Sequence, residues 1–228
     1  MKIQNPFKLL NKFEMCLWLT SLFVVLLSYV LSGFEGTANT LCSLIGVTAL
    51  IFVAKGHVLG MVLCIVFAAF YGLISLHFRY YGELITYAGM TLPMDFFALI
   101  SWIKNPYKDT HEVKVSKLTR AQTLVMWLAT LAVTVVFYFI LSALSTPSLY
   151  VSTLSISTSF LAVALTYFRS PYYALAYAAN DVVLIVLWTV ASFADTSYIP
   201  MVMCFVMFLA NDLYGLYNWK KMQKRQLD

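Results

Sequence analysis

The chain has 228 residues, of which 61% are hydrophobic and only 11% charged, with a formal charge of +5 and a mean hydropathy of +0.81. That composition excludes a soluble globular domain. It fits a chain that lives in a bilayer, where each spanning helix takes roughly 20 apolar residues.

Eight apolar stretches are predicted to span: 14–32, 38–54, 58–77, 81–103, 122–143, 149–168, 172–193 and 197–219. The first follows Lys2, Lys8 and Lys12. It is long for a signal-peptide core and no A-x-A site follows, so a retained helix is expected. Between spans the basic residues alternate sides: fourteen of the fifteen fall on one side and Arg79 alone on the other. By the positive-inside rule both termini are cytoplasmic, and a basic face for nucleic acid is not expected. Cys16, Cys42, Cys64 and Cys204 lie inside spans without CxxC spacing and read as small core hydrophobes. His57, His77 and His111 stand near span ends or in loops, with no helical His/Glu pair, so no metal is expected.

The chain repeats itself. "MDFFALISW" (94–102) over "NDLYGLYNW" (211–219) pairs Asp95 with Asp212, Leu99 with Leu216 and Trp102 with Trp219 at an offset of 117. The breaks "AKGHV" (54–58) and "FRSPY" (168–172) pair at an offset of 114, and a longer outer loop "FADTSY" accounts for the difference. Spans 38–103 and 149–219 run in the same direction with one span between them, which gives parallel repeats of three helices joined by a linker helix. The predicted organisation is an extra transmembrane helix in 1–35, repeat 1 in 36–105, a cytoplasmic loop and linker helix in 106–145, repeat 2 in 146–222 and a tail in 223–228. The fold class is an all-α integral membrane protein of eight helices.

Acids inside spans are costly and usually face a wet cavity or a partner. Asp95, Asp181 and Asp212 are such acids, and Thr91, Asp95, Leu99 and Trp102 share a helix face, as do Asp212, Leu216 and Trp219. Asn180 lies near mid-span with Leu184 and Trp188 on its face, while Asn211, Gly215 and Asn218 form another stripe. Amides, carboxylates and rings at matching depths suit a neutral or weakly cationic solute with a flat ring and a sugar. Two bland readings stand beside this one: Asp95 and Asp212 as bonds between helices, and Trp102 and Trp219 as members of the interfacial aromatic belt. Glu83 is expected at the outer interface with Arg79 as partner. No P-loop, dinucleotide fingerprint or nucleophile elbow is present, so neither an enzyme nor a cofactor is expected.

"FYGLISLHFRYYGELITYAGMTLPMDFFALISW" (70–102), "NDLYGLYNWKKM" (211–222) and the plan of three, one and three helices resemble the PnuC vitamin transporters, bacterial relatives of the SWEET sugar facilitators. The resemblance covers about residues 38–222 and implies a SWEET-like bundle in the bacterial plasma membrane. It further implies facilitated diffusion (uniport) of nicotinamide riboside, trapped by a cytoplasmic kinase, in a homotrimer. Asn180 corresponds to the family's site asparagine. The expected binding set is Asn180, Asp95, Asp212, Asn211 and Thr91 for polar groups, with Tyr173, Trp188 and Tyr71 flanking the ring; Trp102, Trp219 and Asn218 would form the inner gate. The chain departs from the family where Tyr173 and Ala176 replace a tryptophan pair and where Asp95 replaces an amide. Those changes leave a deoxynucleoside or thiamine as alternative solutes. A membrane enzyme or assembly protein, the alternative of another class, would require a nucleophile paired with a base, and the sequence shows none.

Overall fold

The computed structural model of the chain describes residues 5–34, 36–77, 81–108, 110–146, 148–193 and 198–227. Eight spans of sufficient length and apolarity are present among them. They are α1 (Lys12–Leu31), α2 (Thr37–Ala54), α3 (Val58–His77), a composite fourth span, α6 (Arg120–Ala143), α7 (Leu149–Tyr167), α8 (Tyr173–Ser192) and α9 (Ile199–Leu227). The fourth span runs as α4 (Tyr81–Leu84), a π-helical segment Ile85–Thr91 and α5 (Leu92–Lys104). Pro93 explains the break from a uniform α-helix. It offers no N–H to the carbonyl four residues back, and Leu92 N–H reaches five residues back to Tyr87 instead. Arg79 and most of the 193–198 loop lie outside the described residues, so the expected Arg79–Glu83 pair and the loop-length account have no structural counterpart here.

The helices close a ring. α2 packs on α3, α3 on α5, α5 on α7, α7 on α8, α8 on α9, and α9 back on α2. Each repeat contributes three neighbours, and the two seams between repeats are α2–α9 and α5–α7. α1 lies outside the ring against α2 and α9, and α6 lies outside against α7. The apolar residues α6 leaves exposed, among them Leu124, Leu128, Leu131 and Phe139, form an apolar stripe on its outer face.

Both repeats end their first helix in the same way. Gly56 (φ 64°) and Arg169 (φ 55°) take the left-handed conformation just past α2 and α7. Their amides bond back to Val53 and Thr166, and the next amides, of His57 and Ser170, bond to Phe52 and Leu165. The helix ends thus align at 113, one residue from the offset read in the sequence. Arginine in this conformation costs about 1–2 kcal/mol. Offsetting bonds hold it: Nη1 donates to Ser101 Oγ at 2.6 Å and Nε to the Lys114 carbonyl at 3.1 Å.

Residues 105–108 and 110–119 strap this end of the ring. Val113 N–H donates to the Gly56 carbonyl at 2.9 Å and Ser116 N–H to the Arg169 carbonyl at 3.0 Å, so one segment ties the matching turns of both repeats. Gln226 at the end of α9 bonds Val115 N–H and the Val113 carbonyl, and Arg225 pairs with Glu112. α1 joins the same end through Glu14, which is buried, caps its own helix with Asn11, and pairs with Lys55 at 3.2 Å and with the Tyr214 hydroxyl. Lys55, Arg169 and the basic residues of the strap and α9 thus gather at one end of the bundle, called the basic end below.

His57 gives this end a pH dependence. Its Nδ1 accepts Leu59 N–H at 3.1 Å, at the start of α3, and so must be unprotonated. Burial, then the charge of His111 with its ring 5.8 Å away, hold the His57 pKa below its ordinary value. A depressed histidine pKa means that the unfolded chain takes up the proton first. Stability is therefore full above the unfolded pKa of roughly 6.5 and falls as pH drops below it. Thermal melts from pH 8 to 5 should show this decline, and His57→Asn should flatten it. An unchanged slope in the variant would remove His57 as its source.

Candidate functional site

A cavity of about 70 Å³ lies on the axis of the ring, and all six ring helices line it. One wall is aromatic: Phe67, Tyr87, Phe205 and Phe208, with neighbouring ring centroids 5.6–6.1 Å apart. Gly46 of α2 makes room for it, since a Cβ there would sit 2.4 Å from Phe208 Cζ. The opposite wall is polar and comes mainly from repeat 2: Ser159, Thr166, Tyr177, Asn180, Asp181 and Asp212. Repeat 1 adds Thr91 and Asp95.

Asn180 is held by hydroxyls of α7. Ser159 and Ser155 donate to its Oδ1 at 3.1 and 3.3 Å, and Thr158 Oγ1 is 2.8 Å away. With Oδ1 occupied, the Nδ2 end of the amide is the one left to donate to a solute.

The acids complement that donor. Asp95, Asp181 and Asp212 are nearly fully buried and converge on the cavity, so the duplicated pair read from the sequence does meet across the ring. Asp181 and Asp212 lie within hydrogen-bonding reach of each other. Asp95 Oδ1, Asp181 Oδ2 and Thr91 Oγ1 are buried and meet no hydrogen-bond partner among the described residues. Such orphaned groups cost about 1–3 kcal/mol each, more when charged. No Lys, Arg or His is among the described residues of the wall. A cavity built this way offers carboxyl groups to pair with a positively charged guest and, among the described residues, no base to pair with an anion.

Below the cavity, at the basic end, the two repeats cap each other. Trp219 Nε1 donates to the Val53 carbonyl at 2.9 Å and Asn218 Nδ2 to the Ala54 carbonyl at 2.8 Å, which satisfies the last turn of α2. Trp102 Nε1 and Ser101 Oγ do the same for Thr166 and Tyr167 of α7, at 3.0 and 2.8 Å. The two indoles are fully buried with centroids 5.3 Å apart, and Tyr173 packs edge-on against Trp219 at 4.7 Å. Trp102, Trp219 and Asn218 therefore meet at one closed constriction. Ser101 is the fourth member, and the 117 offset from Asn218 was the signal for it.

Four residues expected around the solute stand elsewhere. Asn211 points out of the ring, where Nδ2 donates to Ser21 Oγ of α1 at 2.9 Å and to the Met207 carbonyl of its own helix. Tyr173 belongs to the constriction. Tyr71 sits behind the aromatic wall, 4.3 Å from Tyr87. Trp188 lines a separate pocket at the end away from the basic loops. The cavity brings in instead Asp181, Tyr177, Tyr87 and Ser159, and Tyr177 and Asp181 share one face of α8 with Asn180.

Comparison with known proteins agrees with this architecture. Residues 36–221 match the family described as nicotinamide mononucleotide transporter. The nicotinamide riboside transporter PnuC of Neisseria mucosa is 28% identical over 186 residues, covering 79% of this chain and 70% of that protein. The crystal structure of the vitamin B3 transporter PnuC superposes with a TM-score of 0.81 at 25% identity, covering 95% of this chain and 94% of the other. A cavity ringed by two equivalent triplets and the fold of a solved transporter agree with the family match over residues 36–221, and the chain is a membrane transporter of the PnuC family.

Proposed function

We propose that the protein imports nicotinamide riboside, with the central cavity as its binding site. The charge of that cavity carries the reading. Nicotinamide riboside is a pyridinium cation with a neutral sugar, whereas the mononucleotide adds a phosphate dianion. Three buried acids and a wall without described bases favour the first and disfavour the second.

In this reading Asn180 donates to the carboxamide or ribose, Asp181, Asp212 and Asp95 balance the ring's charge, and Phe208, Phe67 and Tyr87 stack on its face. At about 70 Å³ the cavity is far below the roughly 300–1,000 Å³ of small-molecule sites, so the repeats must part to admit a solute. The Trp102–Trp219 constriction is the gate at the basic end, and that end faces the cytoplasm of a bacterial inner membrane by the positive-inside rule. The solute moves down its gradient and a cytoplasmic kinase traps it, because the phosphorylated product no longer fits the acidic cavity. Assembly as a homotrimer is part of the proposal and is checked by native mass spectrometry. Thiamine, also a cationic ring, is the second reading that the acids favour; a neutral deoxynucleoside gains nothing from them.

Proteoliposomes loaded with a riboside kinase and ATP test the reading. Labelled nicotinamide riboside should accumulate, and Asn180→Ala should lower the initial rate at least about tenfold through one lost buried hydrogen bond. Equal uptake by protein-free vesicles would refute it.

A further inference from the structure

The pocket around Trp188 lies at the end opposite the gate and is larger than the central cavity, at about 380 Å³. Its walls include Tyr81, Glu83, Thr86, Ser155, Trp188 and Tyr198. Glu83 is the charged member among the described residues of that wall, and three aromatic rings share the pocket with it. Trp188 packs 5.3 Å from Tyr198, and its Nε1–H is buried without an acceptor among the described residues. An indole N–H in that position calls for a guest that accepts a hydrogen bond. One carboxylate and several aromatic faces form an environment for a flat cation. The volume falls in the usual range for small-molecule sites.

Ser155 connects this pocket to the centre. It lines the outer pocket and donates to Asn180 Oδ1 in the cavity wall. Trp188 is eight residues beyond Asn180 on α8, or about 12 Å along the helix axis. A solute leaving the outer pocket thus meets the Asn180 cluster next.

We propose that this outer pocket is a second binding site, an antechamber that captures a cationic aromatic riboside on Trp188 and Glu83 before it passes Ser155 to the central cavity. The proposal rests on the importer reading. It assigns Trp188 a role in capture at the outer mouth, where the sequence had suggested the central site.

Tryptophan fluorescence tests it, because pyridinium rings quench excited indoles. Nicotinamide riboside added to purified protein in nanodiscs should quench a component that is missing in Trp188→Phe and present in Asn180→Ala. Glu83→Gln should weaken that component about tenfold for the cation and leave its response to the uncharged dihydro riboside unchanged. An identical quench in wild type and Trp188→Phe overturns the antechamber, as does a component that vanishes with Asn180→Ala in a variant that keeps the wild-type melting point. Either result leaves the importer standing if wild-type liposomes still take up the riboside. Absence of wild-type uptake removes the importer and the antechamber with it.

Discussion

Replacing Trp219 by alanine is expected to cost about 3–5 kcal/mol of stability. The ring is fully buried, it packs on Trp102 and Tyr173, and its N–H satisfies the Val53 carbonyl at the end of α2. Truncation opens a void and orphans that carbonyl together. Trp219→Phe separates the two effects, since it keeps most of the ring and should lose only the roughly 1–3 kcal/mol of the unpaired group. Trp102→Ala should behave alike, because its indole does the same for Thr166. With the two rings in contact, the double variant should fall short of the sum. Unfolding in mixed micelles, followed by labelling of the buried thiols Cys42 and Cys204, measures each loss. A loss under about 1 kcal/mol for either alanine variant would mean that the constriction does not hold the repeats together.

Asp181→Asn should have the largest effect on binding. The substitution keeps shape and removes the carboxyl that a cationic guest would pair with, beside Asn180 on the cavity wall. Hydrogen bonds to charged groups contribute about 1.5–3 kcal/mol, so affinity for nicotinamide riboside should fall roughly 10- to 150-fold. The dihydro riboside has the same ribose and carboxamide without the positive charge, and its affinity should change less than about threefold. Thermal shift with both ligands reads the difference, because a ligand that binds only the folded state raises the melting point. Equal losses for the two ligands would show that Asp181 shapes the cavity without reading charge.

The spans were legible because apolar length alone identifies a helix that must satisfy its backbone inside a bilayer. The repeat was legible in Asp95–Trp102 over Asp212–Trp219, and both acids do reach one cavity. Other assignments needed the packing. Asp212 and Asn211 are neighbours on α9 separated by about 100° of helix rotation. α9 touches both the ring interior and α1, so one side chain turns to the cavity and the other to Ser21. On α8 the stripe Asn180–Leu184–Trp188 was followed outward. The cavity instead takes Tyr177, Asn180 and Asp181, because the ring axis passes that turn and Trp188 lies two turns beyond. Tyr87 enters the wall from the π-helical segment, whose register no α-helical spacing predicts, whereas Thr91, four residues before Asp95, was legible and does line the cavity. The strap at 105–119 carried no periodic signal at all. Its bonds to Gly56 and Arg169 arise only when two turns far apart in sequence come side by side.

Competition during uptake tests the central claim, that an acidic cavity between two repeats carries a cationic riboside. In proteoliposomes, entry of labelled nicotinamide riboside should saturate and should be blocked by the unlabelled riboside but not by equal mononucleotide. Mononucleotide blocking as well as riboside, or uptake that never saturates, would contradict the account.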